Sequence, residues 1–149
     1  PDGRPSSVEA STSPEATATD GWGSSAILFG LVEGLAGVTD VDACFRRIEI
    51  SPRWAAAEIE TARVHMAYAA SGAGVGYVYE QGTDGCRCSL YADGATVHLH
   101  LLLPAGKDLV GMEIGGQRVE CARTVVGESV YADADLTVDG QTIVELRFT

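Results

Sequence analysis

The sequence predicts a mainly β protein, an antiparallel β-sandwich of about nine strands preceded by one apolar α-helix. Three observations lead there. Apolar residues recur at helical spacing only once, between Gly21 and Val38. From Arg46 onward the period changes to two, in short runs broken by Gly- and Pro-containing turns. The chain's 149 residues are enough for one domain with its own core.

The helix comes first in importance. Ile27, Leu28, Leu31, Val32 and Leu35 form a broad apolar stripe. Ser24 or Ser25 is placed to cap the start, and Gly37 suits a left-handed exit. Gly23, Gly30 and Gly34 lie along the same segment. An interior helical glycine costs roughly 0.5–1 kcal/mol relative to alanine, so their accumulation predicts a neighbour packed close to this backbone. The rest of the chain offers no helical partner. The chain opens on Pro1-Asp2-Gly3-Arg4 with neither an initiator Met nor a signal peptide, and is expected to be a piece of something longer.

Before the helix, residues 1–20 are rich in Ser, Thr, Pro and Ala and read as a linker or a long loop. Asp2, Glu9, Glu15 and Asp20 are the carboxylates there. A catalytic base must be held rigidly within reach of its proton, and nothing in this stretch supplies that support, so solvated side chains are expected. Trp22 stands where the loop meets the helix; its ring either stacks on a sugar or closes the loop onto the core.

After the helix, Val38 to Phe45 reads as a connection. Arg46 to Ile50 is a strand with Ile48 and Ile50 on one face, stopped by Pro52. Ala57 to Ala67 alternates, with Ile59, Val64, Met66 and Tyr68 expected inside and a bulge near Ala62. Tyr77 to Glu80 is the next strand, between Gly-rich turns. Cys86 to Tyr91 and Ala95 to Leu103 flank Asp93-Gly94, a strong hairpin signal, and Leu109 to Ile114 and Gln117 to Val126 flank Gly115-Gly116, a second one. Ser129 to Asp133 and Thr142 to Phe148 supply the last strands.

Charge and motifs narrow the function classes. Formal net charge is −11, and Lys107 is the single lysine, so a polyanion would be repelled and nucleic-acid binding is not expected. No run of about 18 apolar residues occurs, so no membrane span is expected. Gly72-Ala-Gly74-Val-Gly76 precedes no helix and is not a phosphate loop. Cys86 with Cys88 and His98 with His100 invite a metal reading, but Cys-x-Cys lacks the usual gap of two to four residues. A hairpin at Asp93-Gly94 would place Ser89 opposite His98 and Arg87 opposite His100. The cysteines would then share the core face with Leu90, Val97, Leu99 and Leu101, and the histidines would take the other. One ion cannot be held from both faces of a sheet, so neither a metal nor any cofactor is expected, and the cysteines read as small core hydrophobes. With Cys44 and Cys121 they show no small-protein disulfide framework, which favours a reducing, cytoplasmic compartment. A free-standing carbohydrate-binding sandwich, or a purely structural one with no ligand, is the alternative reading. Its candidate aromatics are Trp54, Tyr77, Tyr79 and Tyr91, although Tyr77 and Tyr79 share one strand face and equally suit the core.

One ordered string carries a family resemblance. It runs Gly21-Trp22-Gly23-Ser24-Ser25, then Leu31-Val32-Glu33-Gly34-Leu35-Ala36-Gly37-Val38, then Phe45-Arg46-Arg47-Ile48 and Ile50-Ser51-Pro52-Arg53-Trp54. It resembles the end of the catalytic domain in bacterial six-hairpin glycosidases, the (α/α)6-barrel enzymes that include α-L-rhamnosidases. There a similar last barrel helix leads through a short linker into a C-terminal β-sandwich. The segments Ala62 to Tyr68, Gly76-Tyr77-Val78 and Leu101-Leu102-Leu103-Pro104 extend the resemblance over nearly all of residues 20–149. It implies three parts: residues 1–38 as the end of the barrel, 39–44 as a linker and 45–149 as the sandwich. It also implies a parent enzyme that cleaves glycosides with two carboxylates on barrel loops. The base carboxylate would lie upstream of Pro1, or be Glu9 if the loop is short. Trp22 would line the sugar pocket, and carbohydrate would reach the chain only through the barrel. The His-Tyr-Ala start of the rhamnosidase helix is missing here, so the resemblance implies no particular sugar.

Overall fold

The computed structural model describes residues 21–149. An α-helix, α1 (Gly21–Phe29), continues into a wider π-helical turn over Gly30–Leu35. Nine strands follow: β1 (Val38–Asp42), β2 (Arg47–Ile50), β3 (Thr61–Ala67), β4 (Gly74–Gln81), β5 (Gly85–Leu102), β6 (Leu109–Ile114), β7 (Gln117–Val119), β8 (Ala122–Val126) and β9 (Ser129–Phe148). A short 3-10 turn, Trp54–Ala57, separates β2 from β3. The expected mainly β architecture with one leading helix is therefore present.

Two long antiparallel strands, β5 and β9, organise everything else. Along the first half of β5, β4 lies on one side and the end of β9 on the other, with β3 outside β4 and β6 and β7 beyond β9. Along the second half of β5, β2 replaces β4, with β1 outside it, and β8 flanks the start of β9. The two halves face each other across one core. Tyr77, Leu90 and Leu146 from one half and Ile48, Leu99 and Leu101 from the other belong to the same buried cluster. Long strands that pass from one layer to the next through a bulge are a standard way to turn such a corner.

That corner falls at Asp93-Gly94, and the expected hairpin there does not form. The ladder runs Ala92↔Gly140 and then Ala95↔Val138, so two residues of β5 oppose the single Asp139 of β9. Gly94 (φ +70°) and Gly140 (φ +79°) take left-handed conformations on the two strands. Asp-Gly serves a bulge as well as a turn, because both need the same backbone freedom. The faces nevertheless come out as expected. A two-residue bulge shifts the strand's alternation by one, as a two-residue turn would, so Cys86, Cys88, Leu90 and Ala92 point inward before it and Ala95, Val97, Leu99 and Leu101 after it. The cross-strand partners differ: Ser89 faces Ile143, and His98 faces Asp135.

Other expectations are corrected. The two last strands are one continuous β9. Part of the expected connection after the helix is β1, which pairs with β2 from Val38↔Ile50 to Asp42↔Arg47. The sheet is mixed, because β2 runs parallel to β5 while the other pairs are antiparallel. β2 enters from a hairpin with β1, which fixes its direction before it meets β5. Gln117 to Val126 is split, since β7 pairs with β6 and β8 crosses to β9. β3 shows no bulge; Val64 and Met66 pack against the core while Ile59 and Tyr68, just outside the strand, are exposed. Ser24 and Ser25 lie inside α1 and do not start it. The Gly115-Gly116 hairpin forms as read, with both glycines at positive φ.

Candidate functional site

The first candidate site is the helix and the anchor beneath it. Pro52 stops β2, and the chain turns back so that Arg53 and Trp54 lie under the helix end. The Arg53 amide donates to the Leu35 carbonyl at 3.0 Å. Its guanidinium Nη1 donates to the Gly34 carbonyl at 2.8 Å and the Glu33 carbonyl at 3.4 Å. A cation on the last carbonyls is a favourable cap for a helix end. Gly37 exits with φ +65°, as expected from the sequence, and its carbonyl accepts from the Ser51 amide at 2.7 Å.

A buried relay completes the anchor. Trp54 Nε1 donates to the Tyr77 hydroxyl at 2.8 Å, and that hydroxyl donates to the Ala36 carbonyl at 2.6 Å. Tyr77 is only 2% exposed. Burial pushes its hydroxyl well above the ordinary tyrosine range, with Trp54 opposing in part. The hydroxyl therefore stays protonated and able to donate.

Above this anchor the helix carries exposed large apolar side chains. Ile27, Leu28, Phe29 and Leu31 are 53%, 61%, 63% and 52% exposed. Gly23 and Ser24 are half-buried, residues 25–31 are exposed, Val32, Gly34 and Leu35 are half-buried, and burial is complete at Ala36. A Cβ at Gly30 would meet nothing within 4 Å, and one at Gly34 only the Phe29 carbonyl oxygen at 3.9 Å. Apart from Arg53 on the Gly34 carbonyl, no described residue packs where a side chain at Gly30 or Gly34 would stand, and Ile27, Leu28 and Leu31 of the apolar stripe face outward while Val32 and Leu35 are half-buried. Contiguous exposed apolar residues of this kind are what interaction surfaces present.

The second candidate site is a histidine–aspartate row on the outer face of the sheet. His98 and His100 alternate on β5, and the register with β9 sets Asp135 opposite His98 and Asp133 opposite His100. His98 Nδ1 lies 2.8 Å from Asp135 Oδ1, and His100 Nδ1 lies 2.5 Å from Asp133 Oδ1. The second oxygen of Asp133 accepts from the Thr124 hydroxyl, supplied by β8. The Tyr131 ring stacks on His100 with centroids 3.8 Å apart and planes 10° from parallel. The His100 and Asp133 side chains are largely buried, at 20% and 15% exposed.

The residues singled out in the sequence fall as follows. Glu9 and the side chain of Trp22 lie outside the described residues. Cys86 and Cys88 are in the core, on the face opposite the histidines. The Cys88 thiol is pushed well above its ordinary range by its contact with Cys86 and by burial. Its place in the core, across the sheet from the histidines, makes it a packing residue rather than a partner of theirs. Of the candidate sugar-stacking aromatics, Tyr77 and Tyr79 are core residues and Trp54 packs against the core, leaving Tyr91 exposed. Asp133, Asp135 and Thr124 escaped the sequence reading. The signal was present: Asp133-Ala134-Asp135 on β9 mirrors His98-Leu99-His100 on β5, but the expected hairpin paired those histidines with residues of their own strand.

No protein-family model matches the sequence, and no curated protein matches it. Comparison with solved structures finds its fold. An alpha-L-rhamnosidase from Dictyoglumus thermophilum matches with TM-score 0.56 and 13% identity, over 81% of this chain and 14% of that one. A GH127 beta-L-arabinofuranosidase from Geobacillus stearothermophilus T6 gives TM-score 0.49 and 13% identity, over 85% of this chain and 18% of that one. The chain thus has the fold of a segment of the rhamnosidase, spanning 14% of its length. The likeness to rhamnosidases read from the sequence is matched at the level of the fold.

Proposed function

We propose that the chain is the C-terminal part of a glycoside hydrolase, with α1 as the last helix of an (α/α)6 catalytic barrel and the sheet as the domain that braces it. Residues 1–38 then belong to the barrel, 39–44 to the passage between domains and 45–149 to the bracing domain. The observation that carries this reading is the helix itself: its C-terminal end is bound by Arg53 and the Trp54–Tyr77 relay, while Ile27, Leu28, Phe29 and Leu31 face outward. The fold shared with a segment of an alpha-L-rhamnosidase supports a helical domain as the occupant of that face. In such an enzyme the sheet sets the position of α1, and α1 transmits that position to the loops around the sugar.

In this proposal the catalytic carboxylates lie elsewhere in the parent enzyme, with Glu9 as a base only if the preceding loop is short. Trp22, one turn before the exposed stripe, lines the sugar pocket. Cleavage of a glycosidic bond needs two carboxyl groups on either side of it, about 5–9.5 Å apart depending on the stereochemical outcome. The isolated chain is therefore expected to be inert on a panel of aryl glycosides, while the full-length product of its gene hydrolyses at least one of them. Turnover by the isolated chain at a rate matching the full-length product would overturn the proposal.

A further inference from the structure

We propose that His98, His100 and Asp133 form a binding site for a divalent transition-metal cation of the zinc class. The three residues each bring one donor atom to within 4.8 Å of the others. Two imidazole nitrogens and a carboxylate oxygen are a donor set that suits zinc and its neighbours, and three protein ligands leave a position open for water or an incoming group. The site is independent of the glycosidase reading, since it sits on the outer face of the sheet and not on the helix.

The scaffold favours this use. Alternation along β5 brings both imidazoles to one face, and their spacing is fixed by the strand. Asp133 is held through its other oxygen by Thr124, and His100 is held by the Tyr131 ring. Such supporting contacts orient metal ligands and make a site affine. His98 is the adjustable member, with its side chain 45% exposed and its Nδ1 on Asp135. Zinc holds N and O donors at about 2.0–2.2 Å, so tetrahedral ligand atoms stand roughly 3.3 Å apart. Metal binding therefore requires the His100–Asp133 pair, now 2.5 Å apart, to open as the ion replaces the proton between them, and His98 to turn from Asp135 toward it. Binding displaces any proton from the imidazole nitrogens and the carboxylate that take the metal, and places a dication in a chain of net charge −11. The expectation of no metal rested on separating the histidines from the cysteines, which holds; the third donor comes from β9.

The chain's three histidines, His65, His98 and His100, supply an internal control, because His65 lies on β3, which among the described strands pairs with β4 and not with β5. The test is imidazole 15N NMR of the full 149-residue chain, carrying Cys44→Ser and Cys121→Ser to remove the accessible thiols, titrated with zinc chloride. The site predicts that His98 and His100 move together and saturate at one equivalent while His65 stays. Competition against a chromophoric chelator should then show His98→Ala, His100→Ala and Asp133→Asn each weakening zinc binding by at least about tenfold. Asp135→Asn should weaken it less, and it guards against a variant that fails to fold, which circular dichroism would reveal. Unsaturable shifts, equal movement of His65, or folded variants that bind zinc as the parent does would overturn the site.

Discussion

Gly37→Ala is expected to destabilise the chain by about 3 kcal/mol or more, lowering its melting temperature by roughly 6–12 °C. The added Cβ would stand 1.8 Å from the Ser51 carbonyl oxygen, 2.1 Å from its carbon and 2.7 Å from the Pro52 nitrogen. All three are backbone atoms, so no side chain can swing aside. The residue also sits at φ +65°, where an L side chain is strained. Gly72→Ala is the control, because Gly72 has φ +71° but open space around the new Cβ. It should cost only the conformational part, about 1 kcal/mol. Thermal and urea unfolding of both variants separate clash from strain. Equal losses would mean that the helix exit does not press on the end of β2.

Tyr77→Phe is expected to cost about 2–4 kcal/mol, far more than the loss of one exposed hydroxyl. It removes two hydrogen bonds and leaves the Trp54 indole N–H and the Ala36 carbonyl without their partner. A second readout is the alkaline limb of stability. Burial raises the Tyr77 and Tyr79 hydroxyls well above their ordinary value of 10.0. Below pH 10 both folded and unfolded chains hold these protons. Above it the unfolded chain releases them first, so the stability they contribute falls as pH rises toward the folded values. Cys88, raised above 9.0 mainly by its contact with Cys86, acts in the same direction from a lower pH. Urea midpoints should therefore be flat to about pH 8 and then decline. Tyr77→Phe should make that decline shallower while lowering the plateau. An unchanged slope would place the Tyr77 hydroxyl in contact with solvent.

The legibility of the fold divides by the range of the forces involved. Pro52 ending β2, Gly115-Gly116 closing a hairpin and Gly37 leaving the helix are decided within a few residues, and all were readable. Asp93-Gly94 was not, because turn and bulge make the same local demand. The choice is made by β9, which is long enough to pair with both halves of β5. The parallel approach of β2 to β5 is likewise a tertiary outcome. The helix and its apolar residues were legible from the spacing, whereas the close neighbour expected from its glycines is not found beside Gly30 or Gly34 among the described residues. Its anchor was not legible, since Arg53, Trp54 and Tyr77 meet Gly34 and Ala36 only through folding. The histidine–aspartate row was hidden for the same reason, as its two halves lie more than thirty residues apart.

The exposed apolar helix is fixed at its C-terminal end, and we propose that a separate helical domain covers it. Amide hydrogen exchange over residues 27–31 tests it most directly, compared between the isolated chain and the full-length product of its gene. We expect rapid exchange in the isolated chain, and slowing on the order of a hundredfold or more in the full-length protein, with the β5 and β9 amides unchanged. Equal rates in the two proteins, or full protection of these amides in the isolated chain, would contradict it.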